Sequence, residues 1–190
     1  MNRLETWFCE SAWWRYITRS KLLPWMLQGT DLGAHALELG AGPGATTTEL
    51  AKRANRVTSL EYDHSFAAKL GAKIEPSGVR VIQGDAAALP FADHTFSSAT
   101  AILMLHHLKP GELQDSAFRE IRRVLRPGGI FLAVEIPDNW INRVLHIKST
   151  FVPLSSESGR ARLAAAGFSS VSVDSRGGGL RFRASRSQES

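Results

Sequence analysis

The sequence predicts an α/β fold built on a mainly parallel sheet with helices on both faces. Two observations predict it. From residue 35 onward strand-length runs alternate with helix-length stretches, and strands alternating with helices imply a parallel sheet covered on both faces. The first run, His35 to Leu39, leads into Gly40, Gly42 and Gly44 and then a helix start at Thr46-Thr47-Thr48-Glu49. A strand, a tight glycine turn and a helix N-terminus form a unit that lets backbone approach a ligand with no Cβ between them.

Taken in order, residues 3–28 read as one or two helices interrupted near Pro24, with Leu4, Trp7, Phe8, Ser11, Trp14 and Tyr16 recurring near helical spacing. Four of the five tryptophans lie in this stretch, which predicts a helix packed on the main body or a lid with rings over an apolar ligand. Strand one is 35–39 and its helix spans about 45–54. Strand two is 56–61, followed by a helix of about 64–74 that breaks at Pro76-Ser77-Gly78. Strand three is 79–82 and strand four 96–103. A helix of about 112–125 follows Pro110-Gly111, a turn falls at 126–129, and strand five is 130–135. A helix of about 157–166 stops at Gly167. Val171–Asp174 and Leu180–Ala184, around Gly177-Gly178-Gly179, read as an antiparallel hairpin. In the last strand Leu180 and Phe182 alternate with Arg181 and Arg183, the pattern of an edge strand with a solvated basic face. The final six residues read as disordered.

The 190 residues fit one domain: a helical lid over 1–30, a core over 31–175, and a last strand with a short basic tail over 176–190. The net charge of +5 suits polyanions, but much of the excess sits in Arg176, Arg181, Arg183 and Arg186, which a solvated tail explains equally well. The one cysteine, Cys9, excludes an internal disulfide framework and a cysteine-rich metal site, and fits a reducing, cytoplasmic setting. No metal site is expected. No apolar run approaches the roughly 20 residues that span a bilayer, and the charged N-terminus is not a secretory signal.

In a parallel sheet ligands bind beyond the carboxyl ends of the strands, where strand order reverses. Three successive strand ends carry acids: Glu38 beside the glycines, Glu61 at the end of strand two, and Asp85 after strand three. A carboxylate at Glu61 can accept both hydroxyls of a ribose, and one at Asp85 can accept from an adenine amine. A nicotinamide dinucleotide competes for this turn, since Gly40-x-Gly42-x-x-Ala45 meets the looser dinucleotide fingerprint. Glu38 would repel a pyrophosphate but accept from an ammonium, and neither Tyr16 nor Tyr62 has a lysine four residues on. S-adenosylmethionine carries the ammonium, the ribose and the adenine together.

The chain resembles a class I S-adenosylmethionine-dependent methyltransferase over about residues 30–175. The segments that carry the resemblance are Leu37 to Gly44, Leu60-Glu61-Tyr62-Asp63, Gly84 to Phe91, Leu105-His106-His107-Leu108 and Glu120 to Gly129. The resemblance implies a Rossmann-like, doubly wound sheet of seven strands whose last is antiparallel. It implies that Glu38, Gly40, Ala41, Gly42 and Gly44 lie by the methionine end of the cofactor, Glu61 with Tyr62 by the ribose, and Asp85 with Ala86 by the adenine. Ile102 and Leu103 would flank the cofactor. Glu61-Tyr62-Asp63 is also similar to the ribosomal RNA adenine dimethylases. After strand four, Leu103-Met104-Leu105-His106-His107 stands where base-amino methyltransferases carry an Asn/Asp-Pro-Pro-aromatic segment. It resembles instead the small-molecule enzymes that methylate quinones and lipids.

A small apolar or aromatic acceptor is therefore expected, methylated on O, C or N, and nucleic acid is not. An RNA methyltransferase and a cofactor-binding module without catalysis stay open as alternatives, and a monomer and a homodimer fit the sequence equally. His106 and His107, just past strand four, and His146 are the candidate bases, with turn-capping or packing as their alternative roles. Trp7, Trp14, Arg143 and His146 are candidates for the acceptor side, and residues 140–153 for its specificity; Lys148 lies among them.

Overall fold

The structure, a computed structural model, describes residues 10–74, 78–145 and 150–188. A helical run opens the described chain: α1 (Ala12–Ile17), one π turn (Thr18–Leu22) and α2 (Leu23–Leu27). Pro24 does not interrupt this run. It sits in the first turn of α2, where its missing N–H is tolerated because the π turn has already loosened the ladder.

The remaining elements are β1 (His35–Leu39), α3 (Thr47–Leu50), β2 (Arg56–Glu61), α4 (His64–Lys73), β3 (Val79–Gln83), β4 (Phe96–Ile102), a single 3-10 turn (Leu105–His107), α5 (Gly111–Val124), β5 (Leu125–Glu135), α6 (Trp140–Leu145), α7 (Ser156–Ala165), β6 (Ser169–Arg176) and β7 (Gly179–Ser185). The strands form one sheet in the order β3-β2-β1-β4-β5-β7-β6. Pairs up to β5 are parallel, and β7 runs antiparallel to both of its neighbours. The order reverses between β1 and β4, so the ends of β1, β2 and β4 open on the switch point that the sequence assigned to a ligand.

Alternation along the strands divides the core in two. Leu37, Leu39, Phe131 and Ala133 face α5, whose Ala117, Phe118, Ile121 and Val124 recur along one helix face. Ala36, Val57, Leu132 and Val134 face the other way, onto Leu23, Met26 and Leu27 of α2. Burying each of those three α2 side chains contributes about 1.5–3 kcal/mol. Residues 23–27 are therefore part of the core, whereas α1 buries no side chain fully.

Four expectations are corrected. The first helix after the glycines is only Thr47–Leu50, because Arg53 and Ala54 both fold back onto the Leu50 carbonyl in a tightened turn. The bend at 126–129 lies inside β5, not before it. Leu125 already pairs with Phe96, and the register then jumps to Ser98 opposite Ile130. The arginine-bearing strand β7 is interior, and β6 is the edge. Arg181 is buried and donates to the Asp174 carboxylate at 2.5 Å and to the Trp25 carbonyl at 3.1 Å; Arg183 donates to Thr30 Oγ1 at 2.6 Å. The tail is anchored as far as Arg186, whose guanidinium accepts nothing and donates to the carbonyls of Arg122, Arg123 and Leu125 at 3.0–3.2 Å, capping α5.

Candidate functional site

The glycine turn is held from the β2 side. The Gly40 and Ala41 amides both donate to the Leu60 carbonyl, at 2.9 and 3.2 Å, and the Gly84 amide donates to the Glu61 carbonyl at 3.0 Å. These bonds bring the ends of β1, β2 and β3 together. Glu61 completes the link: one carboxylate oxygen accepts from the Gly42 amide at 2.7 Å and the other from the Asp63 amide at 2.9 Å. Asp85 accepts from the Ala87 amide at 2.8 Å, a local turn that fixes its carboxylate beyond β3, and Ala86 beside it is buried. Arg123 of α5 braces this loop by donating to the carbonyls of Leu89 and Phe91 and to Glu120, which itself accepts from the Leu89 amide.

Gly40, Gly42 and Gly44 all adopt positive φ, of 72°, 50° and 86°. At Gly40 a Cβ would lie 2.7 Å from Met104 Cβ, so the side chain after β4 packs on the turn. At Gly42 no described residue lies within 4 Å of that position. The turn is thus filled on one side by protein and open on the other, a cradle of backbone that an added side chain would occupy. Tyr62, next to Glu61, is mostly exposed, and Leu103 takes a positive φ of 52° as its amide donates to the Val134 carbonyl. Ile102 ends β4 alongside it.

Glu38 is buried and its carboxylate accepts from the hydroxyls of Thr46, Thr47 and Ser59. It is therefore tied to the turn and to β2 through those hydroxyls, three acceptor positions of its carboxylate being filled. Ser59 is its register partner across β1 and β2, which the sequence alone did not reveal. The Thr46-Thr47 pair directly past the glycines was the available signal. Burial pushes the Glu38 carboxyl above its ordinary value of 4.5, against the pull of the Ser59, Thr46 and Thr47 hydrogen bonds. With a raised folded value, this group's contribution to stability is full below pH 4.5 and is lost as pH rises through the folded value. Glu38→Gln removes that titration while its amide can still pair with rotating hydroxyls. Urea melts across acid to neutral pH should show the parent chain losing stability relative to the variant as pH rises. Parallel pH profiles would refute this.

The histidines separate. His106 is buried and its Nδ1 lies 2.5 Å from Glu135 Oε2; the other Glu135 oxygen accepts from the Leu105 amide at 2.7 Å. His107 lies with Nδ1 3.1 Å from the Thr150 carbonyl, and its ring centre is 4.2 Å from that of His106. Glu135, not singled out from the sequence, ends β5 as Glu61 ends β2, whereas Glu38 is the penultimate residue of β1. Trp14 is half-buried on α1, and Arg143 is exposed on α6 in a two-point ion pair with Asp138. Trp7 and His146 lie outside the described residues. Among the described residues no cluster of His, Cys, Asp or Glu is arranged to hold a metal ion, and no helix is long and apolar enough to cross a membrane.

The family described as "Methyltransferase domain" matches residues 37–133, just over half of the chain, from the glycine turn to the end of the sheet centre. The chain belongs to this methyltransferase family. Its cofactor is S-adenosylmethionine, and the glycine turn, Glu61 and Asp85 all lie within the matched residues. An uncharacterized methyltransferase from Synechocystis is 37% identical over 111 residues, covering 57% of this chain and 51% of that one. A demethylmenaquinone methyltransferase from Mycolicibacterium paratuberculosis is 32% identical over 126 residues, covering 66% and 49%. This methyltransferase chain spans about half the length of the curated relatives it matches. A chain in the complex between the Haloferax volcanii Trm112 methyltransferase activator and a methyltransferase shares the fold, with a TM-score of 0.81 at 17% identity over 98% of this chain and 97% of that one.

Proposed function

We propose that the chain is a single methyltransferase domain that transfers the methyl group of S-adenosylmethionine to a small apolar or aromatic acceptor in the cytoplasm. The observation that carries the acceptor class is the surface beyond β4. Leu103 and Met104 are half-buried apolar side chains, Met104 against the glycine turn, and Phe151 and Val152 lie over the turn that follows. The similarity to a demethylmenaquinone methyltransferase supports the same class.

When bound, S-adenosylmethionine supplies a methyl group already activated on a sulfonium sulfur. In this reading Glu61 accepts from the ribose hydroxyls, with Tyr62 over the sugar, and Asp85 with Ala86 holds the adenine. The glycine turn admits the methionine end, and Glu38 keeps that turn in shape through Thr46, Thr47 and Ser59. Ile102 and Leu103 flank the cofactor, and α1 with Trp14 lies toward the acceptor as a lid. Positioning the acceptor in line with the sulfur–methyl bond can supply roughly 7–11 kcal/mol of the barrier.

A tritiated-methyl screen over phenols, quinones, lipids and total RNA tests the reading, with calorimetry of S-adenosylmethionine against NAD beside it. Label in the small-molecule fractions is expected. Label only in RNA would overturn the acceptor class, and heat from NAD alone would overturn the site.

A further inference from the structure

Among the described residues the exposed large apolar side chains are Trp13 and Tyr16 on α1, Tyr62 past β2, and Trp140 and Val144 on α6. All five stand around one end of the sheet. Tyr62 directly follows Glu61, the last residue of β2, and α6 follows the end of β5 after Pro137 and Asp138. A Cβ at Gly179 would lie 3.2 Å from the Trp25 ring, and the next residue, Leu180, pairs with Glu135 at the carboxyl end of β5. From Trp25 the chain runs toward the other end. Arg183, opposite Leu132, reaches Thr30, and Ser98, opposite Ile130, donates to the Leu32 carbonyl. The helical run before Trp25 therefore starts at the carboxyl ends of the strands, where the glycine turn also lies.

Two short pieces of this rim are amphipathic. On α1 Trp13 and Tyr16, three residues apart, share an outer face. From Ala12 to Leu22 the chain carries Arg15, Arg19 and Lys21 and no acid, and all three cations are exposed. Arg15 donates to the Glu10 carbonyl, and Arg19 lies 3.6 Å from Glu49 with 71% of its side chain in solvent. On α6 Trp140 and Val144, four residues apart, share a face that is mostly solvated, and the neighbouring acid Asp138 is taken up by Arg143. Tryptophan and tyrosine rings have an apolar body and a polar tip, and beside unopposed cations they suit a lipid–water interface. A flat, fluid surface meets separate elements together without needing a matching shape.

We propose that this rim docks on an anionic lipid bilayer, with Trp13, Tyr16, Trp140 and Val144 among the headgroups and Arg15, Arg19 and Lys21 on the lipid phosphates. The use of the surface rests on the small-molecule reading above and deepens it: the acceptors are apolar molecules held in the bilayer, and they enter the site from the membrane without crossing water. No helix among the described residues is long and apolar enough to cross the bilayer, so the attachment made by this rim is peripheral and reversible.

The test sediments the full chain with vesicles of phosphatidylcholine and phosphatidylglycerol in equal parts, and with vesicles of phosphatidylcholine alone. Association with the mixed vesicles is expected, with a blue shift of tryptophan emission and a loss as salt rises toward 1 M, where the screening length is about 3 Å. Arg15→Gln combined with Lys21→Gln should weaken it by about 10- to 30-fold. Trp140→Ser combined with Val144→Ser should weaken it by about 10-fold or more. Calorimetry with S-adenosylmethionine should give unchanged affinity in both variants. A parent chain that stays in solution with the mixed vesicles, or sediments equally with phosphatidylcholine alone, would overturn the proposal whatever the variants do. So would a dimer that Trp140→Ser with Val144→Ser dissociates, because the rim would then belong to a second copy. Label in quinones or lipids without vesicle association would overturn the surface and leave the small-molecule reading standing. Vesicle association with label in RNA alone would overturn that reading, and with it the delivery of acceptors.

Discussion

Glu61→Ala is expected to weaken S-adenosylmethionine binding by about 1–3 kcal/mol, or roughly 5- to 150-fold. The change removes two things at once. It takes away the carboxylate proposed for the ribose hydroxyls, and it frees the Gly42 amide that this carboxylate holds at 2.7 Å. Asp85→Ala should fall in the same range but nearer its lower end, because that carboxylate supports only its own turn through the Ala87 amide. Isothermal titration calorimetry reads both. Unchanged affinity in both variants would mean that the cofactor does not lie across these strand ends.

The second large effect separates two glycines two residues apart. Gly40→Ala must place a Cβ 2.7 Å from Met104 Cβ on a backbone with φ of 72°. The left-handed conformation costs about 1–2 kcal/mol and the overpacking about 1–3 more, so a loss of roughly 2–5 kcal/mol of stability is expected in urea denaturation. Gly42→Ala meets open space and carries only the conformational cost of about 1–2 kcal/mol. Its larger effect should fall on cofactor affinity, since the new methyl group projects into the cradle. Equal stability losses with unchanged affinity for Gly42→Ala would remove the cradle from the site.

These contrasts also show what was legible before the fold was known. His35–Leu39 and Arg56–Glu61 fall where the alternation of strand-length and helix-length stretches places them. The cluster of strand-end acids was legible because an acid near the close of a strand-length run stands out. The role of Glu38 was not, since its hydroxyl partners depend on the register between β1 and β2. Nor was the interior position of β7. Its alternating arginines look solvated in one dimension, but Arg181 finds its partner 156 residues away in sequence, at the Trp25 carbonyl. Glu135 became significant only when β4 and β5 proved adjacent.

That bond from Arg181 to Trp25, with Arg183 reaching Thr30, has a consequence for biogenesis. The α2 segment is synthesised early, yet the guanidinium groups that secure it belong to a strand made more than 150 residues later. During translation its apolar stripe of Leu23, Met26 and Leu27 waits beside an incomplete sheet, the condition in which nascent chains recruit chaperones. Closure of this layer is a late, high-contact-order event, so refolding should be slow compared with a helical protein of similar size.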